Sequence, residues 1–149
     1  MHPKTQQILK TFEEINRIPR CSKHEKNLSL WLKEWAESIG LEVKTDAVNN
    51  VLIKVPATPG YEDSPVIVLQ GHMDMVCEKI KSSNHDFSRD LIRCVYDGDW
   101  VKGDGTSIGA DNGIALAMGL VLAEAGKNGD IVHPPLELLF TVDEETGLT

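Results

Sequence analysis

Three short polar stretches carry residue types that chemistry needs: His72-Met73-Asp74, Asp111-Asn112-Gly113 and Asp143-Glu144-Glu145. Residues two apart in an extended segment point to the same side, so Asp74 can reach the imidazole of His72. A carboxylate that accepts one ring N–H fixes the tautomer and leaves the other nitrogen free for a metal. Asp111, at the entrance to an apolar run, could offer its two oxygens to a pair of cations. Glu144 and Glu145 project in divergent directions, so one could ligate a cation while the other takes a proton from water. Adjacent acids repel one another unless solvent or a cation offsets them. The chemistry these groups could share is metal-assisted hydrolysis.

Each stretch also has an everyday alternative. His-x-Asp arises often by chance and suits a surface or capping role. Asp or Asn ahead of a helix is a common N-cap, and runs of acids are usually solvated loops. Two other patterns fail. A dinucleotide-type GxGxxG starting at Gly103 would need glycine where Ile108 stands. Asp97 and Asp99 do not continue into a calcium loop, because Val101 occupies the next ligand position. His2, His24, His85 and His133 read as surface or loop histidines.

The elements around these stretches follow from periodicity. Ile8, Leu9, Phe12, Ile15 and Ile18 recur at helical spacing behind Pro3, predicting a helix over roughly 4–17. Ser22 with Glu25 has the form of a capping box. The stripe Leu28, Trp31, Leu32, Trp35 and Ile39 follows it, and Gly40 stands where a helix ends. LEVKTDAV and VLIKVPAT, either side of Asn49-Asn50, read as two strands and a turn. VIVLQ after Pro65 reads as a buried strand that leads into HMD. Residues 77–94 are polar and irregular, and Asp97-Gly98 marks a hairpin between Cys94–Tyr96 and Trp100–Lys102. GIALAMGLVLAEAG is a helix apolar nearly all round, and LELLFTV is a last strand that delivers the acids. Helices alternating with apolar strands predict an α/β fold with a mixed sheet flanked by helices. Ligands in such sheets bind beyond the strand ends, where the three polar stretches fall.

Composition limits the partners. The 149 residues suffice for one domain with a core of its own. A net charge of −8 argues against nucleic acid as a partner. No apolar run approaches the ~20 residues a bilayer span needs, and the N-terminus lacks the apolar core of a secretion signal. Three cysteines, Cys21, Cys77 and Cys94, without a CxxC pair, predict free thiols in a reducing, cytoplasmic setting.

GHMDMV, GADNGIALA and TVDEETG, in that order, resemble the co-catalytic zinc peptidases of the aminoacylase and carboxypeptidase type. VCEK after HMD, His85-Asp86-Phe87 and YDGDW narrow the resemblance to the bacterial aminoacyl-histidine dipeptidases, also called cytosolic non-specific dipeptidases. The resemblance implies a zinc-exopeptidase-like catalytic domain. In it His72 ligates one metal, Asp74 orients the ring, and Asp111 bridges both metals from a cis Asp111–Asn112 peptide. Glu144 is implied as the general base and Glu145 as ligand of the second metal. Two divalent ions are implied, zinc first, with cobalt or manganese as alternatives suited to mixed N/O ligation.

The implied reaction is hydrolysis of dipeptides, Xaa-His or broader, by a metal-bridging water and the glutamate base, in a homodimeric parent enzyme. A deacylase of N-acyl amino acids, or a non-catalytic remnant kept for assembly or metal binding, are the alternatives. The resemblance covers essentially the whole chain but only the N-terminal part of the family's longer polypeptide. The family pattern adds a carboxylate and a final histidine further on, and a smaller dimerisation (lid) domain. Residues 1–149 are accordingly expected to be a truncated catalytic domain, inactive in isolation.

Overall fold

In the computed structural model, which describes residues 1–147, the expected periodicities become three helices and six strands among the described residues. Helix α1 spans Pro3–Ile15, with the His2 ring accepting from Lys4 N. Helix α2 spans Lys26–Ser38, and Gly40 follows it at φ 73°, the left-handed geometry that glycine enters at little steric cost. The buried stripe of α2 is Leu28, Ser29, Leu32 and Ala36, and the two tryptophans lie along its margin.

Strands β1 (Glu42–Thr45) and β2 (Val51–Val55) form an antiparallel pair. Their turn is organised by Asp46, whose carboxylate accepts from Val48 N and Asn50 N. Strand β3 covers Ile67–His72, and β4 (Cys94–Asp97) and β5 (Trp100–Gly103) make the separate hairpin expected around Asp97-Gly98. Helix α3 spans Ala110–Lys127 and β6 spans Leu136–Thr141.

The main sheet runs β1-β2-β6-β3. It is mixed, because β6 is antiparallel to β2 and parallel to β3. Alternate residues Val51, Ile53, Val55, Leu136, Leu138 and Phe140 face one way and join Phe12, Leu28, Leu32, Leu116 and Leu120 in a single core. This is the period-two pattern of a sheet with one helix-covered face. Gly119 lets α3 lie close, since a Cβ there would come within 3.3 Å of the Phe140 ring.

The apolar run entering β3 is not buried: Val66, Ile67 and Val68 are each about half exposed, Val68 at 52%. The apolar composition predicts a buried strand, but β3 lies at the edge of the sheet, and only its end, Gly71 and His72, is buried. No helix among the described residues is long and apolar enough to cross a membrane.

Candidate metal centre

Parallel pairing brings two of the three polar stretches together. His72, the last residue of β3, is in register with Thr141, and Met73 N donates to Thr141 O at 2.7 Å. HMD and the acid loop therefore leave the same end of the sheet. The third stretch arrives from the start of α3, where the Asp111–Asn112 peptide is cis and both residues have non-helical φ/ψ. Gly71 makes room for it, since a Cβ there would lie 2.7 Å from Asn112 Oδ1. Asp111 is not the helix cap. The N-cap is Gly109, without a side-chain bond, and the Asp111 side chain is 80% exposed at the mouth of the site.

The side chains converge on the imidazole. His72 Nδ1 lies 3.2 Å from Asp74 O and 3.3 Å from Asp74 Oδ1, both acceptors, so this nitrogen carries the proton. In that tautomer of the neutral ring, Nε2 offers a lone pair. It lies 3.0 Å from Asp111 Oδ1 and 3.7 Å from Glu144 Oε2. Two acceptors facing each other at 3.0 Å are unfavourable unless a proton or a cation lies between them. His72, Asp111 and Glu145 each present a ligand atom, and the three atoms lie within 4.8 Å of one another. One imidazole and two carboxylates form a mixed N/O donor set that fits zinc and its first-row neighbours. Glu144, 46% exposed, is placed beside the imidazole from the same loop.

A second acidic group, Glu25, Asp74 and Asp143, is fully buried behind the first. Its oxygens are met by hydrogen-bond donors. Asp74 Oδ1 accepts from Glu144 N at 3.0 Å, and Oδ2 accepts from Glu145 N at 3.1 Å and Ser22 Oγ at 2.7 Å. Glu25 Oε1 accepts from Asp143 N at 2.9 Å and Lys23 N at 3.0 Å. Asp143, at φ 56°, accepts from the Thr146 hydroxyl. Asp74 thus does more than face the imidazole: it also holds the backbone that presents Glu144 and Glu145.

The capping box expected at Ser22 and Glu25 is absent, because both side chains serve these longer-range bonds and α2 starts without a side-chain cap. Beside them lies Arg20, 1% exposed, which periodicity gave no reason to single out. Burial lowers its pKa to about 10, with the Asp74 charge opposing the shift, so it remains cationic at neutral pH. The cysteine reading also fails in part. Cys21 and Cys77 form a disulfide with Cα atoms 5.7 Å apart, and only Cys94 is free. The two cysteines meet because the residue after Arg20 pairs as an isolated bridge with Met75. His133, read as a surface or loop histidine, stands in the loop before β6 but is buried there, with Nδ1 2.7 Å from Pro134 O.

No protein-family model matches the chain. Over 138 residues, 92% of the chain, it is 46% identical to the cytosol non-specific dipeptidase of Escherichia coli K12. Its fold superposes on the aminoacylhistidine dipeptidase of Vibrio alginolyticus with a TM-score of 0.90 and 43% identity, over 96% of the chain. The chain is homologous to these dipeptidases. It spans 28% of the length of the first and 29% of the second. A tripeptidase from Staphylococcus aureus follows at a TM-score of 0.76 and 27% identity, covering 95% of the chain and 37% of that enzyme.

Proposed function

We propose that residues 1–149 are the N-terminal part of a metallopeptidase catalytic domain whose complete form hydrolyses dipeptides, Xaa-His or broader, in the cytoplasm as a homodimer. The observation that carries this reading is the convergence of His72 Nε2, Asp111 and Glu145 within 4.8 Å, with Glu144 alongside. In the proposed roles His72 would serve one of two divalent ions, zinc before cobalt or manganese, Glu145 the other, and Asp111 would serve both. Bound there, such ions would polarise the scissile carbonyl and acidify water. Asp74 keeps the His72 proton on Nδ1 and so holds the ring in the ligating tautomer.

Glu144 accepts the proton of the attacking water and passes it to the departing amine. Its backbone is fixed by the bond to Asp74 while its half-exposed carboxylate lies 3.7 Å from His72 Nε2, which suits a group that must face first water and then leaving group. One histidine and two carboxylates are too few for two ions, since a catalytic zinc generally takes three protein ligands. The 149-residue chain alone is therefore expected to be inactive.

The experiment is a chimera in which this chain replaces the matching segment of the E. coli dipeptidase. It should retain two metals per subunit and hydrolyse β-alanyl-histidine, and Glu144→Gln should abolish turnover while leaving metal content intact. A folded, metal-loaded chimera that cleaves N-acetyl amino acids and no dipeptide would point to a deacylase. One that cleaves neither would point to a non-catalytic remnant.

A further inference from the structure

The segment between α1 and α2 is the part of the fold that touches all three arms of the candidate site. Arg20 Nη1 donates to Met73 O at 3.1 Å and, at the long end of the range, to Asp74 O at 3.5 Å. Its Nη2 donates to Gly109 O at 2.7 Å and Asn16 Oδ1 at 3.1 Å. One planar group therefore joins the backbone that carries His72 to the backbone two residues before Asp111. The space it occupies is reserved by glycines on both sides of Asp111. A Cβ at Gly113 would lie 2.6 Å from Arg20 Nη2, and one at Gly109 would also collide with it. Glu25 closes the same clasp on the third arm through Asp143 N.

A buried guanidinium is a costly way to fill a core, since its desolvation offsets much of what its bonds contribute, and an apolar side chain of similar volume often serves stability as well. What an apolar side chain cannot do is hold three carbonyls and an amide oxygen at fixed directions from one rigid fork. We propose that Arg20 is the positioning residue of the metal centre, setting the separation of the His72 and Asp111 arms. This rests on the metal-site reading of His72, Asp111 and Glu145.

The test is titration of the metal-stripped chimera described above with Zn²⁺ by calorimetry and with Co²⁺ by its visible absorption, alongside urea unfolding. The set is wild type, Arg20→Met, Arg20→Lys and the remote core variant Leu32→Ala. Arg20→Met should weaken affinity in the folded protein by about 10- to 100-fold, the usual effect of losing a group that orients ligands. It should also change the shape of the Co²⁺ spectrum. Arg20→Lys, with a charge but no fork, should fall between. Leu32→Ala should lower the urea midpoint and leave affinity and spectrum unchanged. Wild-type affinity and spectrum in folded Arg20→Met would overturn the proposal. Should that variant not fold, Arg20→Lys binding Co²⁺ as wild type does so equally. Failure of the wild-type chimera to bind either ion overturns the site reading itself, and this proposal with it.

Discussion

Asp74→Asn is the sharpest perturbation available, because it keeps shape and removes one acceptor. In the native chain Oδ1 accepts from Glu144 N and faces His72 Nδ1, while Oδ2 accepts from Glu145 N and Ser22 Oγ. Asparagine offers one oxygen and one NH₂, so either orientation sets the amide against a backbone N–H of the acid loop. Ser22 can rotate to accept, but the backbone N–H groups cannot. Leaving one such donor unpaired costs about 1–3 kcal/mol, and loss of charge on the remaining bonds adds roughly 1 kcal/mol, for a total of about 2–4 kcal/mol. Removal of the anion also leaves the buried Arg20 cation less compensated. Urea unfolding followed by tryptophan fluorescence measures the loss. A double-mutant cycle supports the assignment: Ser22→Ala should cost about 1 kcal/mol alone and only a few tenths on an Asp74→Ala background. A loss below about 0.5 kcal/mol for Asp74→Asn, the range of an ordinary surface change, would refute the claim that this carboxylate organises the loop.

Two further outcomes are expected. Reducing the Cys21–Cys77 bond, which closes a span of 56 residues, should lower stability by about 4 kcal/mol on the chain-entropy account. Equal urea midpoints with and without reductant would contradict that. The hydrogen bond from Tyr96 to Glu13, with burial and the Glu13 charge adding to it, raises the phenol pKa to about 12. The folded state therefore holds this proton more tightly than the unfolded one. The contribution is complete below pH 10 and fades between about 10 and 12. An absorbance titration should show Tyr96 ionising late in wild type and near the ordinary value in Glu13→Gln, and identical curves would sink the assignment.

The elements were legible in the sequence where a local pattern dictates them. The helical stripes of α1 and α2, the all-round apolar run of α3, the Asp97-Gly98 hairpin and the apolar strands β2 and β6 all have short-range signatures, and each stands close to where those signatures put it. The three polar stretches were visible because they sit at element ends. What stayed hidden depends on contacts between distant residues. Ser22 and Glu25 look like a capping box, yet their partners are 52 and 118 residues away. Arg20 interrupts no pattern, and nothing in its neighbourhood announces that a guanidinium is buried between two glycines 89 and 93 positions on. The Cys21–Cys77 pairing likewise follows from a bridge between segments that share no motif. The half-exposed start of β3 could not be read from composition, since an apolar run looks the same at the edge of a sheet as at its centre.

The register of β3 against β6 also determines where the chain can change length. Residues pair one to one from Ile67–Leu136 to His72–Thr141. One residue inserted within either run would turn every following side chain to the opposite face and carry His72 or the acid loop out of reach of its counterparts. The turn around Ser82 belongs to neither strand, and extra residues there add only a small loop-closure term. Insertion scanning should divide the chain sharply, with Gln70 and Leu139 intolerant and the loop around Ser82 and Ser83 permissive.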